Sequence, residues 1–450
     1  MCTENPNYHI CNPKQIIRAA LSHDFISLFC EKNSDGTRHL RLKGKDLFQR
    51  MGRRLKDHDM PEIVKYLKLT PTVTSIDFCY NEIGDSGLEI LAKTFFNGEN
   101  DLSYINFMHC DVTGRGLGYL NESEFFNLKE IRLNGNPLGP QSAGLIFNLL
   151  QKCSDLTYLD LAESQQTFES IAAICSFVER SRVKILDVSR VLPKDPMYIN
   201  NSPALANDIG YLLDRNTSLL EIHLQKCDFI GHDMELLMYG LETNKHLIML
   251  DVGCNNIGNY GLEVLAKWLK TKPPLRALNV SNNQIGEIGA RALALVLPFT
   301  IIRLLDITNN HINDIGMNHL LFSLKKPDRI RLLYIWGNPF GEKTNLILDR
   351  LFKSGVLLQE HTDVKVYHVD GVAYQAYYPS NHYKHKYYCV MDHGCPVELK
   401  IKRNKVADEF SQPRALIDLK NYDRYPPVNL NLPKRYPCYD FCDSTCLDSK

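Results

Sequence analysis

Five aspartates, Asp77, Asp160, Asp187, Asp251 and Asp306, stand at the same place in a motif that recurs along the chain. Carboxylates brought side by side can shuttle protons in acid–base catalysis, or can draw in a basic partner through their shared charge. Arg132, His223 and Tyr334 fill that place in other copies, and Tyr80, Tyr104, Tyr158 and Trp336 stand close to it. Arginine, tyrosine and tryptophan are the side chains that most often anchor protein contacts. Near the end, Cys389-x3-His393-x-Cys395 and Cys438-x3-Cys442-x3-Cys446 bring together thiols and an imidazole of the kind that bind zinc. Structural zinc sites use tighter, repeated CxxC-like knuckles. No metal or cofactor is therefore expected, and exposed thiols or a tail disulfide are.

Gly114-Arg115-Gly116-Leu117-Gly118 has the look of a phosphate loop. A nucleotide site would also need a glycine loop ending in Lys-Ser or Lys-Thr, and the sequence has none. HExxH, GxSxG and kinase signatures are missing too. Together with the shallow, open face expected to carry the aspartates, which would neither shift a pKa nor exclude water, this argues against an enzyme. No small-molecule substrate is expected.

What positions these residues is a period. The segment from Leu275 to Gly286 returns in degenerate form ten times, with first positions at Val73, Leu102, Leu128, Leu156, Val183, Leu219, Leu247, Leu275, Ile302 and Ile330. Successive copies lie 26 to 29 residues apart, save one interval of 36 that holds an insertion at about 193–201. Positions four and six are apolar in every copy, from Ile76 and Phe78 to Leu333 and Ile335. Alternation of that kind marks a short strand with one buried face. Position nine is asparagine in Asn81, Asn136, Asn255, Asn283, Asn310 and Asn338. A buried amide there can donate to and accept from the backbone where the strand turns away. Cys110 and Cys227 fill the same slot as small groups with a weak donor.

A glycine follows six residues later, as at Gly87, Gly116, Gly261, Gly289 and Gly316, and then helical spacing begins. Gly114 to Gly118 falls at this helix entry. Each unit therefore reads as strand, turn, helix and return. No unit can bury its own apolar face, so the units must stack into a parallel sheet with helices outside. Helices are wider than strands, and the stack must curve with its strands on the concave side. Positions three, five, seven and eight are then expected to face inward.

The pattern resembles the leucine-rich repeat family in its ribonuclease-inhibitor subtype, whose units of ~28 residues carry helices. The resemblance extends over about residues 37–352. It implies an α/β, right-handed horseshoe solenoid of about ten to eleven repeats, with a parallel concave sheet and convex helices. It also implies an intracellular, non-enzymatic protein associated with germ or stem cells, the nucleolus or ciliated cells. Family members that activate the GTPase Ran carry a strongly acidic tail. Here residues 392–450 hold ten basic and nine acidic side chains, which weakens that alternative. Ribonuclease inhibitor itself is strongly acidic and far richer in cysteine. Innate-immune members place such repeats after a nucleotide-binding module, and no Walker-type glycine loop with Lys-Ser or Lys-Thr occurs in this sequence.

Composition narrows the partners. Lysine plus arginine number 52 and aspartate plus glutamate also 52, so no bulk basic footprint for nucleic acid exists. The longest nearly apolar run, Ala292 to Ile302, falls far short of the ~20 residues a membrane helix needs. With no secretory signal visible, fourteen cysteines read as mostly reduced thiols inside a cell. Four regions are expected: an N-terminal helical cap over 1–36, with a helix over Gln15–Phe29; repeats over 37–355; a C-terminal hairpin cap over 356–390, turning at Asp370-Gly371; and an extended tail over 391–450. Tyr422, Tyr425, Leu430, Leu432, Tyr436 and Tyr439 would anchor that tail along a partner. The reading favoured is a scaffold docked into a multi-subunit assembly, with the ciliary axoneme preferred. The alternative is a nucleolar or cytoplasmic regulator holding a basic partner on the aspartate column.

Overall fold

The computed structural model describes residues 21–378, apart from 34, 124–127, 194–200, 325–329 and 331. The 391–450 tail with its six expected anchors, both cysteine clusters, the first twenty residues and most of the insertion lie outside the described residues. Twelve strands form one sheet in chain order. They are β1 (Cys30–Lys32), β2 (Arg38–Arg41), β3 (Val73–Asp77), β4 (Tyr104–Asn106), β5 (Glu130–Arg132), β6 (Tyr158–Asp160), β7 (Ile185–Asp187), β8 (Glu221–His223), β9 (Met249–Asp251), β10 (Ala277–Asn279), β11 (Leu304–Asp306) and β12 (Leu332–Tyr334). From β2 onward every pairing is parallel. A helix follows each repeat strand, such as Gly258–Leu269 after β9. This is the right-handed α/β solenoid that the period dictates.

Positions four and six turn toward the helices and merge into one apolar cluster running from Leu21 to Val364. Leu159 and Leu161 are 0% exposed; burying such a side chain is worth roughly 1.5–3 kcal/mol. The ninth-position amides stitch neighbouring units as their chemistry allows. Asn136 Nδ2 donates to the carbonyls of Phe107 (2.8 Å) and Leu133 (2.9 Å), while its Oδ1 accepts from Cys110 and Val112 N–H at 3.0 Å. Asn255 does the same for Leu224, Val252, Cys227 and Phe229. In the slot where an amide is missing, the Cys110 thiol donates to the Phe78 carbonyl at 3.1 Å. Helix entries are tied similarly: Asp85 Oδ1 accepts from Thr113 and Gly116 N–H. The glycines of 114–118 thus begin a helix whose amides are already engaged.

One feature of every unit escaped the sequence. The eighth-position residue has left-handed backbone in all ten copies, φ running from 45° at Arg190 to 79° at Gly337. That twist ends the strand, so position eight leaves the inner face rather than continuing it. Only Gly135 and Gly337 are glycines there; Tyr80, Glu163, Arg190, Lys226 and Cys254 adopt a conformation that costs an L side chain about 1–2 kcal/mol.

Both ends are covered. The N-terminal cap departs from the expected helix over 15–29: its described part is a short helix, His23–Ser27, and then β1 pairs antiparallel with β2. A bare β2 would expose a row of unpaired backbone groups, and an edge strand satisfies them where a helix cannot. At the other end β13 (Val364–Val369) and β14 (Val372–Tyr377) form the expected hairpin, with Asp370 and Gly371 both at positive φ, as a two-residue type I′ turn requires. Asp363 Oδ1 accepts from Ile335 N–H at 2.8 Å, and Asn345 Nδ2 donates to the Ala373 carbonyl at 3.0 Å, locking the hairpin onto the last unit.

Candidate functional site on the inner sheet face

Register places the fifth-position side chains in one row. Asp77, Asn106, Arg132, Asp160, Asp187, His223, Asp251, Asn279, Asp306 and Tyr334 are successive partners across β3 to β12. The row forms as the period requires. Its exposure is otherwise: Asp77, Arg132, Asp160, Asp187, Asp251 and Tyr334 are 0% exposed, Asp306 1% and His223 2%. Tyr104 and Tyr158 are buried as well. The expectation of an open, solvated face with exposed aromatic anchors is corrected at these positions. Neighbours at strand spacing, ~4.8 Å away, shield the sides of each group, though not its tip. Tyr80 and Trp336 are half-buried and already paired. Tyr80 stacks on His109 with centroids 5.0 Å apart, and Trp336 packs on Tyr377 of the hairpin at 5.7 Å. Trp336 therefore belongs to the C-terminal cap.

Local chemistry explains why position five is so often aspartate or asparagine. In seven copies the side-chain Oδ1 accepts from the N–H two residues on: Asp77 from Cys79, Asn106 from Met108, Asp160 from Ala162, Asp187 from Ser189, Asp251 from Gly253, Asn279 from Ser281 and Asp306 from Thr308, all at 2.9–3.1 Å. Such a bond caps the strand where the chain turns. One oxygen of each carboxylate is thus structural, and the other decides what the row can do.

That second oxygen differs from place to place. Asp251 Oδ2 accepts from Gln225 Nε2 at 2.8 Å and pairs with His223 Nδ1 at 3.2 Å. Burial opposes a charge on His223, but Asp251 and Glu221 outweigh it and raise its pKa to about 10. Asp160 Oδ2, Asp187 Oδ2 and Glu221 Oε1 are buried with no hydrogen-bond partner. Burial, and then the neighbouring Asp187 charge, push the Asp160 carboxyl well above the usual range; burial also raises Asp187. Arg132 lies over the Tyr158 ring at 4.8 Å and donates from Nη2 to Tyr158 Oη at 3.1 Å.

A second row was missed. Third positions Met249, Ala277, Leu304 and Leu332 form, with Tyr334, an apolar cluster on this face separate from the main core. Four consecutive apolar third positions were the available signal. Glu221 is also a third-position residue and lies outside the aspartate column. Among the described residues no group of three or more His, Cys, Asp or Glu could hold a metal, and no helix is long and apolar enough to cross a membrane.

The Leucine Rich repeat family model matches residues 71–92, 243–266 and 271–294, each starting in or near a strand of this sheet and running into its helix. The chain is 25% identical to ribonuclease inhibitor of Sus scrofa over 214 residues, covering 46% of this chain and 45% of that protein. It is 39% identical to leucine-rich repeat-containing protein 34 of Mus musculus over 188 residues, covering 41% of this chain and 45% of that one. The chain is a leucine-rich repeat protein of the ribonuclease-inhibitor-like subtype. It spans under half the length of these curated relatives. A chain in the crystal structure of the Rad7 and Elc1 complex in yeast aligns over 67% of this chain and 84% of its own, with 16% identity and a TM-score of 0.38, too slight to support any functional argument. Leucine-rich repeats of this kind indicate a protein–protein interaction scaffold.

Proposed function

We propose that this leucine-rich repeat protein is a non-enzymatic scaffold whose inner sheet face receives a basic segment of protein. One observation carries the reading: Asp160 and Asp187 sit side by side, buried, each with an oxygen that no donor reaches. Unpaired buried carboxylates are costly, and a lysine or arginine delivered from outside removes that cost. Elsewhere in the row the second oxygen of Asp251 is held by Gln225 and His223, and that of Asp77 has Lys43 Nζ at 3.7 Å, while the Oδ1 atoms cap the turns. The assembly is proposed to lie inside the cell, with the ciliary axoneme favoured and the nucleolus as the alternative. Support for the location is the resemblance alone.

Proximity labelling in ciliated cells tests both halves. The wild-type chain is expected to label a set of neighbours that Asp160→Asn/Asp187→Asn loses. An unchanged set ends the basic-segment reading. Absence of axonemal neighbours ends the ciliary one.

A further inference from the structure

We propose that the inner face is occupied by the chain's own C-terminal segment, residues 379–405, which a partner must displace. The proposal rests on the functional reading above and adds to it a built-in competitor. The first support is burial without visible cover. Met249, Ala277, Leu304 and Leu332 are at most 2% exposed on the side of the sheet away from the helices. Among the described residues no helix or strand makes a substantial packing contact across that side. Side chains on one face of a single sheet stay wet unless something lies over them.

The second support is where the described chain ends. Tyr377 packs against Trp336, a seventh-position side chain of the inner face, and the Tyr378 N–H donates to the Asp363 carbonyl. The chain therefore leaves the last repeat on the concave side, beside β12. Seventy-two residues follow Tyr378. Reaching β6 from β12 means crossing six strand spacings, ~29 Å. Twenty-seven residues to Lys405 extend to roughly 90 Å, so length is ample.

The third support is order of chemistry. From the exit inward, third positions are apolar at β12 to β9, with Asp306 beside them at β11, and carboxylates gather at β9 to β6, where Asp251, Glu221, Asp187 and Asp160 lie. The segment follows the same order. It begins with Tyr383, Tyr387, Tyr388, Val390 and Met391, with Lys384 and Lys386 among them, and ends with the denser basic run Lys400, Lys402, Arg403 and Lys405. Over 379–405 it carries six basic side chains against two acidic, Asp392 and Glu398, within a chain of zero net charge. Laid across the strands, its aromatic part meets the apolar row and its basic part meets the unpartnered oxygens of Asp160 and Asp187. A tethered segment acts at an effective concentration on the order of mM, so an outside partner binds only by competing with it.

Photo-cross-linking on the full chain, purified and free of partners, tests this. A photoactivatable phenylalanine analogue replaces Tyr387 in one preparation and Ile401 in another. The Tyr387 probe is expected to attach within its own chain to β10–β12, and the Ile401 probe to β6–β8. Lys400→Glu/Lys402→Glu/Arg403→Glu/Lys405→Glu should cut the Ile401 products at least tenfold, and these residues lie outside the repeats, so folding is not at stake. Products only on the outer helices, products only between isotopically distinct copies, no inner-face products, or products unmoved by charge reversal would each overturn the proposal. Its failure leaves the labelling experiment above intact. Conversely, inner-face cross-links with no change of cellular neighbours after charge reversal defeat the basic-partner reading alone.

Discussion

At β3 and β4 an aspartate stands beside an asparagine, and the same pair returns at β9 and β10; at β6 and β7 an aspartate stands beside another aspartate. In the mixed pairs the amide on the later strand donates sideways to the carboxylate on the earlier one, Asn106 to Asp77 at 3.1 Å and Asn279 to Asp251 at 2.7 Å. Asp187 occupies the place of those asparagines and has no proton to give when ionised. Backbone, burial and turn bond are alike in the three pairs, so one atom, nitrogen against oxygen, decides whether the earlier aspartate's Oδ1 gains a second donor; Asp77 Oδ2, like Asp160 Oδ2, has no hydrogen-bond partner, though Lys43 Nζ lies 3.7 Å from it. A buried pair of like charges that lacks even this bond is where an incoming donor gains most, because it removes a cost the fold already carries.

The largest effect is expected where the row is complete. Asp251→Ala removes the acceptor for Gly253 N–H, Asn279 Nδ2, Gln225 Nε2 and His223 Nδ1, and strips a buried imidazolium of its nearest counter-charge. Breaking such a pair costs about 3–5 kcal/mol. Hydrogen exchange at β8 to β10 should report that loss of local protection. A drop below about 1 kcal/mol would show that the completed half of the row carries little, and the contrast with β6 and β7 would lose its meaning.

Exchange of one residue in each direction sharpens the contrast next. Asp187→Asn rebuilds at β6–β7 the pairing seen at β3–β4 and is expected to stabilise the chain by about 1–3 kcal/mol at neutral pH, the scale of two like charges at strand spacing in a partly shielded medium. Asn279→Asp should cost a similar amount by creating a second acid pair beside Asp251. The pH dependence separates the groups. The raised folded-state pKa values of Asp160 and Asp187 mean that the fold binds protons the unfolded chain releases near ~3.9. Stability from this pair is greatest in acid and declines as pH climbs through the raised values. His223 adds stability that is full below ~6.5 and lost toward about 10. Asp187→Asn should flatten the lower window and leave a decline above ~6.5. Chemical denaturation across pH checks both, and a variant that declines as steeply as wild type from acid to neutral refutes the acid-pair account.

The architecture was legible because it repeats. Leu159 and Leu161 each have nine counterparts, and a pattern seen ten times outweighs the ambiguity of any short apolar run. The hairpin cap was legible from Asp370-Gly371, since few sequences turn that tightly. The site was legible only as a column. Sequence placed Asp160 next to Asp187, but the turn bond that engages one oxygen of each, and the burial of the other, depend on neighbours from other strands. An open face was inferred from the general shape of solenoids, whereas Tyr104, Tyr158 and Tyr334 are buried in this one. The N-terminal edge strand was missed because Cys30–Lys32 is three residues long and lies ahead of the first repeat.

The eighth position offers the smallest and cleanest test, because its left-handed backbone is shared by every unit while its side chains are not. Gly135 and Gly337 enter that region freely, and Lys226, exposed at φ 55°, does not. Lys226→Gly removes about 1–2 kcal/mol of steric cost and adds about 0.5–1 kcal/mol of unfolded-state entropy. A net gain of roughly 0.5–1 kcal/mol follows, seen as a higher urea midpoint with an unchanged slope. Gly135→Ala should move the other way and by more, since a side chain there would meet the His109 ring stacked beneath Tyr80. If both variants instead leave the midpoint where it was, the left-handed turn is not a cost the repeat bears, and the strain belongs to the neighbouring strand ends.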